Sequence, residues 1–209
     1  MRLLLIRHGE TPYNAQQLTL GREDVPLTER GRRQAEALAA ALASTGSRRI
    51  NAVYASPLRR AIDTATPIAE ALGLPVQVED GLIEMDVGEL DGQPFEKVRE
   101  RYPDFLRLWF SNQLGEAVMP GGECLRDVQE RAWSSVAGFR ERHADETVAA
   151  VSHNFVILTL LCRFLDMPLS GFRTLKHDLA AVSTVDLTER RTTVRSLNDR
   201  CHLSGIGPS

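Results

Sequence analysis

Residues 3–14, Leu-Leu-Leu-Ile-Arg-His-Gly-Glu-Thr-Pro-Tyr-Asn, decide the fold class of this chain. Four consecutive aliphatic residues are typical of a strand that is buried on both faces of a sheet. Gly9 allows a sharp turn where that strand ends, so Arg7 and His8 are presented at its carboxyl edge. Ligands bind at this edge in open α/β sheets. The pair is a candidate site for a phosphoryl group, with a purely structural turn as the alternative.

Strands and helices are predicted to alternate along the rest of the chain. Thr28 is the predicted N-cap of an alanine-rich helix, and Ser56 caps a predicted helix with Pro57 at its first position. The predicted helices cover 27–44, 56–72, 123–142 and 155–165, the strands 3–6, 51–55, 76–78 and 147–151, and a closing hairpin 180–187 and 192–197. This alternation predicts an α/β protein, a three-layer α/β/α sandwich with a mostly parallel central sheet.

No internal repeat or low-complexity linker interrupts the 209 residues, a length normal for one α/β domain. We therefore expect residues 1–209 to form a single domain. Short helical stretches within about residues 93–122 are broken by Pro103, Pro120 and Gly121-Gly122. These interruptions predict a cap-like excursion from the domain rather than a second domain.

The composition indicates a soluble, cytoplasmic protein. A formal charge of −3 and the absence of a basic run argue against a nucleic-acid partner. No apolar stretch reaches membrane-spanning length, and Met1 leads directly into a strand without a cleavable signal pattern. Cys124, Cys162 and Cys201 are widely spaced, which is typical of reduced thiols rather than of disulfides or a metal site.

Four segments resemble, in the same order, the motifs of the histidine phosphatase superfamily, also called the phosphoglycerate mutase-like family. They are Leu-Ile-Arg-His-Gly-Glu-Thr at 5–11 with Asn14, Ala-Ser-Pro-Leu-Arg-Arg-Ala-Ile-Asp-Thr-Ala at 55–65, Leu-Ile-Glu-Met-Asp-Val-Gly-Glu-Leu-Asp-Gly at 82–92, and Val-Ala-Ala-Val-Ser-His-Asn at 148–154. The resemblance implies a phosphoglycerate mutase-like fold. It also implies that Arg59, Glu84 and His153 join Arg7 and His8 as catalytic residues.

The resemblance implies phosphoryl transfer to His8 as nucleophile. Arg7 and Arg59 beside it would disfavour the imidazolium form and hold the phosphate oxygens. The other ring nitrogen of His8 should donate to a backbone carbonyl near Gly9, which fixes the tautomer. We expect His153 to donate a hydrogen bond to the same phosphate oxygens.

Glu84 is the candidate proton donor to the leaving group. Its pKa should rise beside a bound phosphoryl dianion, which leaves it partly protonated near neutrality. Once ionised, it can take a proton from the water that attacks the phosphohistidine, so hydrolysis proceeds in two steps through a covalent intermediate. Asp86 and Glu89 lie close by in the sequence and remain alternatives.

Asn14, Gly21 and His202 are the further candidate contacts to the substrate. By resemblance Asn14 is a lesser phosphate ligand, and Gly21 lies in a turn of the pocket. His202 belongs to a C-terminal ending that resembles the one in members close to phosphoserine phosphatases. His177 has no assigned role.

Other polar residues near the motifs have structural interpretations. Ser56 is interpreted as a helix cap, Arg60 as a solvated helix residue and Thr64 as a packing residue. His143 lies near a predicted helix C-terminus, where its charge would be favourable.

The segment after Glu84 favours the phosphatase branch, close to phosphoserine and α-ribazole phosphatase-like members. Mutases of the superfamily carry a Glu-Arg-His-Tyr run at the acid and a long insertion that retains a bisphosphate intermediate. Here Met85-Asp86-Val87-Gly88 follows the acid, and the stretch up to Gly121 is too short for that insertion. We expect hydrolysis of a small phosphorylated metabolite, such as phosphoserine or a sugar or nucleoside phosphate. A phosphoglycerate mutase that needs a bisphosphate primer is the alternative.

Substrate identity stays open because Leu20, Val87 and Leu179 depart from residues usual in relatives. No metal or other cofactor is implied, since the arginines supply the positive charge that Mg²⁺ would bring. The expected partner is a small phosphorylated substrate, and Val53–Ala55 or the hairpin edge could pair in a homodimer. A non-enzymatic scaffold that binds a phosphorylated ligand is the third possibility.

Overall fold

A six-stranded sheet forms the centre of the computed structural model, which describes residues 1–44 and 49–206. Its strands are β1 Arg2–Arg7, β2 Ala52–Ala55, β3 Val76–Val78, β4 Thr147–Ser152, β5 Val182–Leu187 and β6 Thr192–Asp199. They lie in the order β3-β2-β4-β1-β5-β6. The first four pair in parallel, whereas β5 is antiparallel to both β1 and β6. The expectation of a mostly parallel sheet with a closing hairpin is confirmed.

Helices connect the strands and cover the sheet. The α-helices are α1 Pro12–Ala15, α2 Glu29–Ser44, α3 Arg59–Leu72, α4 Phe95–Arg101, α5 Pro103–Trp109, α6 Leu125–Arg142 and α7 Asn154–Phe164. Short 3₁₀ turns lie at Asp80–Leu82, Gly88–Leu90, Leu114–Glu116, Leu169–Thr174 and Cys201–Leu203. In the part of the chain that the structure describes, no helix combines the length and apolar character needed to cross a bilayer.

Strand β1 lies inside the sheet, and its four aliphatic side chains are buried. Leu3 and Leu5 point into one hydrophobic core, to which α6 and α7 contribute. Leu4 and Ile6 point into a second core, to which α2 and α3 contribute. Helices therefore cover both faces of the sheet, and the α/β/α sandwich is confirmed.

Two helix starts were predicted from capping residues, with different outcomes. Thr28 is confirmed as a cap of α2, because its Oγ1 accepts a first-turn amide N–H at 3.0 Å. The prediction that Ser56 caps the next helix is wrong. Helix α3 begins at Arg59, after Leu58 with an extended backbone at ψ 137°, and the Asp24 carboxylate accepts the Arg59 amide N–H at 2.7 Å. An aspartate from a distant loop therefore supplies the cap, and the Ser56 hydroxyl is engaged elsewhere.

The turn after β1 requires glycine. A Cβ on Gly9 would lie 2.6 Å from the carbonyl oxygen of Gly31 in the first turn of α2. A residue with a side chain could not approach this closely. The contact places the end of β1, with Arg7 and His8, directly beside the start of α2.

Helices α4 and α5 lie in the excursion expected within about residues 93–122. Their side chains Val98, Leu106 and Trp109 are buried in the core on the α6 and α7 face of the sheet. Phe95 and Phe110 remain exposed and pack edge-to-face with ring centroids 6.5 Å apart. The excursion is thus anchored to the same core that supports β1.

Candidate active site

Three parallel strands end side by side at the candidate site. Strand β1 pairs with β4, and β4 pairs with β2, all in the same direction. His8 follows β1, His153 follows β4 and Ser56 follows β2. The strand order therefore brings together residues that are far apart in the sequence, as expected for the carboxyl edge of a parallel sheet.

His8 is held in one tautomer. Its side chain is 3% exposed, and Nδ1 lies 2.7 Å from the carbonyl oxygen of Gly9. Because a carbonyl can only accept, Nδ1 carries the proton and Nε2 keeps its lone pair. The expected bond to a carbonyl near Gly9 is confirmed. Burial, reinforced by the guanidinium groups of Arg60 and Arg7, holds the pKa of His8 well below its usual range, so the ring is neutral.

The backbone around His8 is tied to helix α3. The amide N–H of Gly9 donates to the hydroxyl of Thr64 at 3.0 Å, and that hydroxyl donates to the carbonyl of Arg60 at 2.7 Å. Thr64 is fully buried. The interpretation of Thr64 as a packing residue therefore missed its bond to the nucleophile's turn.

Arg60, and not Arg59, is the arginine of α3 that enters the site. Arg60 is fully buried. Its Nε donates to Nδ1 of His153 at 3.2 Å, and its Nη atoms donate to the carbonyls of Glu23 at 2.8 Å and Gly21 at 2.6 Å. The side chain of Arg59 is 63% exposed and lies 3.5 Å from Asp63. The placement of Arg59 beside His8 is wrong, as is the interpretation of Arg60 as solvated.

Helical periodicity contains the signal that distinguishes the two arginines. Arg60 shares the buried face of α3 with Thr64 and Ile68, which follow it at four and eight residues, and Ala61 and Ala65 are buried beside them. Arg59 precedes that face by one residue, and adjacent helical residues point in clearly different directions. Counting the apolar face from Ala61 onward would have selected Arg60.

Arg7 lies at the end of β1 with its guanidinium buried. Its Nη1 donates to the carbonyl of His177 at 2.7 Å. Burial lowers the pKa of Arg7 to about 10, against the opposing charges of Glu84 and Asp178. The group stays cationic near neutrality, so two buried guanidinium groups flank the neutral ring of His8. His177 is itself buried, and that burial lowers its pKa to about 4.

Glu84 is the buried carboxyl group of the site. It is 3% exposed, and its oxygens accept the amide N–H groups of Met85 at 2.8 Å and Phe155 at 3.3 Å. Burial raises its pKa, although the two amides, Arg60 and Arg7 act in the opposite direction. A raised pKa is what a proton donor near neutral pH requires.

The two neighbouring carboxylates that were alternatives to Glu84 point elsewhere. Asp86 lies 3.5 Å from Arg22 and accepts the amide of Gly88. Glu89 accepts hydrogen bonds from Arg101 and Tyr102 at its more exposed position. Glu84, in contrast, interacts electrostatically with both Arg7 and Arg60.

His153 lies beside His8, with ring centroids 5.1 Å apart. The ring is fully buried, and burial, together with Arg60, His8, Arg7 and Arg131, holds its pKa well below its usual range. Nδ1 accepts from Arg60 Nε, and Nε2 lies 2.6 Å from the Ser56 hydroxyl oxygen. Both ring nitrogens therefore have protein partners, whereas the sequence led us to expect a nitrogen turned to the substrate.

Asn14 and Gly21 have different positions relative to the site. Asn14 Oδ1 accepts from the amide and hydroxyl of Thr11, and the residue lines a cavity together with Arg7. The carbonyl of Gly21 accepts from Arg60, and its amide N–H donates to Asp91 at 2.9 Å. Gly21 therefore supports an arginine of the site with its backbone.

The cavity beside Arg7 has a volume of about 650 Å³. Its charged and polar lining residues include Arg7, Asn14, Arg30, Gln34, Asp178 and Arg200. Leu179, one of the departures from the family pattern, lines it as well, whereas Val87 is fully buried in the core. A larger cavity of about 990 Å³ lies around Met1 and Leu187, at the opposite end of the strands.

His202 does not line the cavity beside Arg7, so that cavity gives no support to its predicted contact with the substrate. Its Nε2 lies 3.0 Å from the carbonyl oxygen of Ala180. The residue lines a different cavity, of about 600 Å³, together with Leu38 and Ile50. The next residue, Leu203, lines the cavity beside Arg7. The short 3₁₀ turn at Cys201–Leu203 separates the two side chains.

The loop that carries Glu84 is held by an arginine that sequence reasoning missed. Arg131 on α6 donates to the carbonyls of Gly81 at 3.0 Å, Ile83 at 2.5 Å and Glu84 at 3.1 Å. It also bonds the carboxylate of Glu123 at 3.1 Å. No motif around Arg131 distinguishes it from the other arginines of α6. Within the described ranges, no group of three or more His, Cys, Asp or Glu side chains could hold a metal ion.

Known proteins resemble this chain over nearly its whole length. The sequence model of the histidine phosphatase superfamily (branch 1) matches residues 3–200. Phosphoserine phosphatase 1 of Hydrogenobacter thermophilus is 36% identical over 203 residues, which are 97% of this chain and 94% of that protein. The metal-independent phosphoserine phosphatase of Arabidopsis thaliana is 32% identical over 206 residues, which are 98% of this chain and 84% of that protein. The solved structure of Bacillus stearothermophilus YhfR has a TM-score of 0.89 and 30% identity, and covers 97% of this chain and 99% of that one.

The chain belongs to the histidine phosphatase superfamily, branch 1, because the family match spans nearly its whole length. It is a phosphomonoester hydrolase of small phosphorylated metabolites. The sequence prediction of this family and of the phosphatase class is confirmed.

Proposed function

We propose that the protein hydrolyses its substrate through a phosphohistidine formed at Nε2 of His8. One observation carries this proposal: the bond from Nδ1 to the Gly9 carbonyl at 2.7 Å leaves the lone pair of Nε2 for phosphorus. Burial keeps the ring neutral, which a nitrogen nucleophile requires. Arg7 and Arg60 flank it and are the proposed phosphate-binding groups.

In the first step Nε2 of His8 forms a bond to phosphorus, and the ester P–O bond breaks. The departing alkoxide takes the proton of Glu84, whose raised pKa suits a proton donor. Arg7 and Arg60 neutralise the charge on the equatorial oxygens of the transferring group. Three of the five N–H groups of Arg60 donate to protein acceptors in the structure. We propose that the Nε–H group leaves His153 for a phosphoryl oxygen when the substrate binds.

In the second step a water molecule attacks the phosphohistidine. The Glu84 carboxylate takes a proton from that water, a new P–O bond forms, and the N–P bond breaks. The cycle returns His8 to its neutral form and Glu84 to its protonated form, and it releases inorganic phosphate. We assign His153 and Asn14 as further contacts to the phosphoryl group.

Phosphoserine is our first candidate for the substrate. The cavity beside Arg7 carries both charge signs, because Arg7, Arg30 and Arg200 line it together with Asp178, which lies 3.1 Å from Arg200. Such a lining suits a small zwitterion better than an apolar leaving group. The two phosphoserine phosphatases named above support the same choice. The expectations of a single domain, a cytoplasmic location and a homodimer belong to this proposal.

Phosphate release from a panel of phosphomonoesters tests the proposal. The panel contains phosphoserine, 3-phosphoglycerate, sugar phosphates, α-ribazole phosphate and para-nitrophenyl phosphate, each without primer and with excess chelator. We expect wild type to hydrolyse at least one of them and His8→Ala to lose about a thousandfold or more of its turnover. His143→Ala, which removes a histidine that pairs with Glu146 outside the site, is the matched control.

Each contrary outcome has a defined meaning. His8→Ala turnover within tenfold of wild type would exclude His8 as the nucleophile. Conversion of 3-phosphoglycerate to 2-phosphoglycerate only with a bisphosphate primer, with no hydrolysis, would make the protein a mutase. A strict metal requirement would contradict the assignment of the charge-neutralising role to the arginines.

A further inference from the structure

Ser56 is a fully buried serine at the end of β2 that the mechanism does not yet use. Its Oγ lies 2.6 Å from Nε2 of His153 and accepts the amide N–H of Leu58 at 3.3 Å. A serine hydroxyl can donate one hydrogen bond and accept two. Ser56 can therefore either donate a hydrogen bond to His153 or accept one from it, whereas a carbonyl can only accept and an ammonium group can only donate.

The neighbouring arginine determines the tautomer of His153 in this structure. Arg60 Nε lies 3.2 Å from Nδ1, and a guanidinium nitrogen can only donate. Nδ1 therefore carries a lone pair. Since burial and the charges of Arg60, Arg7 and Arg131 oppose the imidazolium form, the ring is neutral and its one proton is on Nε2. The Ser56 hydroxyl oxygen accepts a hydrogen bond from this Nε2–H group.

This tautomer cannot bind a phosphoryl oxygen. Nε2 is turned to Ser56, and Nδ1 has no proton to donate. Yet Nδ1 is the nitrogen beside Arg60, and Arg60 is a proposed phosphate-binding group. The ring of His153 also lies close to the nucleophile, with its centroid 5.1 Å from that of His8. When Arg60 turns to a phosphoryl oxygen, Nδ1 loses its donor. An unprotonated Nδ1 would then face an anion.

We propose that Ser56 lets His153 exchange its tautomer when a phosphoryl group binds. Nδ1 takes a proton from water and, as an N–H group, donates a hydrogen bond to a phosphoryl oxygen, while Nε2 releases its proton to water. The Ser56 hydroxyl reverses and donates to Nε2. The ring carries one proton before and after, so the exchange places no net charge on the imidazole. Ser56 is thus a positioning residue, and this inference rests on the proposed function.

Nitrogen-15 NMR of the intact protein, labelled in its histidine rings, tests the exchange directly. Spectra are recorded near neutral pH without ligand and with saturating inorganic phosphate, and His153→Gln assigns the signals. We expect the proton on Nε2 in the free protein and on Nδ1 in the phosphate-bound protein. Protonation of Nε2 alone in both samples, or of both nitrogens in the bound sample, would overturn the proposal.

Ser56→Ala adds a second test, in which kcat/KM and phosphate affinity are measured besides the tautomer of His153. Since the buried hydrogen bond to His153 is lost together with the one from the Leu58 amide, we expect kcat/KM and phosphate affinity to fall about tenfold. We also expect the tautomer change on phosphate binding to disappear. Thr159→Val is the control, because it removes another fully buried hydroxyl, which donates to the carbonyl of Val156. A Ser56→Ala protein with wild-type kcat/KM and an unchanged tautomer exchange would also refute the role of Ser56.

These outcomes separate the inference from the proposed function. Phosphatase activity that depends on His8, together with an unchanged His153 tautomer, would refute only the role of Ser56. Failure of the wild-type protein both to bind phosphate and to hydrolyse any ester would overturn the proposed function and this inference with it.

Discussion

Two adjacent arginines, Arg59 and Arg60, have opposite surroundings at the start of α3. Arg60 is fully buried and donates to three protein acceptors, whereas Arg59 is largely exposed. The planar fork of a guanidinium makes several directed bonds at once, which a lysine cannot reproduce. We therefore assign the proposed phosphate-binding role to Arg60.

Arg60→Lys and Arg59→Lys form a matched pair at these positions. We expect kcat/KM to fall about 10- to 100-fold for Arg60→Lys, since charge-assisted bonds to the phosphoryl group are lost. For Arg59→Lys it should stay within about twofold, because an exposed ion pair contributes little. Steady-state kinetics on the best substrate measures both. A larger loss for Arg59→Lys would return the role to Arg59.

Glu84→Gln tests which carboxylate protonates the leaving group. General acid catalysis contributes about 10²- to 10⁴-fold, so single-turnover release of an alkyl alcohol should slow by that factor. Release of para-nitrophenolate should be little affected, since this anion leaves without a proton, and a burst should precede slow turnover. Glu89→Gln is the control, and an equal loss there would contradict the assignment.

The pH profile of kcat should follow the two perturbed groups. Glu84 must be protonated in the first step, so the rate should fall as pH rises through its raised pKa. His8 must be neutral, and its pKa lies well below the usual range, so protonation should reduce the rate only in strongly acidic solution. Measured with phosphoserine, Glu84→Gln should lose the alkaline decline. A profile that rises towards alkaline pH would contradict these roles.

Helix α6 positions the loop that carries Glu84 through one side chain, that of Arg131. Arg131 binds the carbonyls of Gly81, Ile83 and Glu84, and it bonds Glu123 as well. These contacts hold the loop at the point where the buried carboxyl group needs a fixed direction. A large part of the rate enhancement by a catalytic group depends on its being held in the correct position.

Arg131→Met should therefore lower kcat about tenfold or more, by misplacing Glu84. In single turnovers the loss of rate should be smaller for para-nitrophenyl phosphate than for an alkyl ester, as we expect for Glu84→Gln. Arg140→Met on the same helix, where the arginine donates to Thr188 at the surface, is the control. Equal kcat values for the two variants would show that the loop holds its position without Arg131.

Asp186 ties three strands of the sheet together. It lies opposite Arg2 of β1, accepts from its Nε at 2.6 Å, and also accepts from Arg195 of β6 at 2.7 Å. These partners lower the pKa of Asp186 to about 2. A carboxylate with a lowered pKa stabilises the fold above its unfolded pKa, and the stabilisation disappears as pH falls towards the folded value.

Asp186→Asn should lower the free energy of unfolding by about 1–2 kcal/mol at pH 7. The difference from wild type should shrink as pH falls from about 4 to about 2, because the wild-type carboxylate is then protonated as well. Urea denaturation at a series of pH values measures this. A difference that is constant over that range would show that charge is not the cause.

At the scale of the whole molecule, the features that depend on local sequence patterns were predicted better than the contacts between distant parts of the chain. The aliphatic run from Leu3 to Ile6 predicted a central strand, and the alternation of elements predicted the sandwich. The motifs also identified His8 and Glu84, which both lie buried in the site. These features depend on neighbours in the sequence, so a single chain reveals them.

The failures share a physical cause, which is dependence on partners far away in the chain. Ser56 resembles a helix cap locally, but His153 from another strand engages its hydroxyl, and Asp24 caps the helix instead. The two arginines at 59 and 60 differ only in which face of α3 they occupy. His202 is turned to Ala180 by the geometry of a short 3₁₀ turn. Helical periodicity in α3 separates the two arginines, but no local pattern reveals the contacts of Ser56 and His202.

The central claim is that turnover passes through a phosphoryl group on Nε2 of His8. Alkaline quenching during turnover, followed by peptide mass analysis and phosphorus-31 NMR, detects this species. With para-nitrophenyl phosphate we predict a phosphoryl group on His8 at Nε2 in wild type, more of it in Glu84→Gln, and none in His8→Ala. Rapid turnover without a phosphorylated His8, or with the phosphoryl group on another residue, would contradict the account.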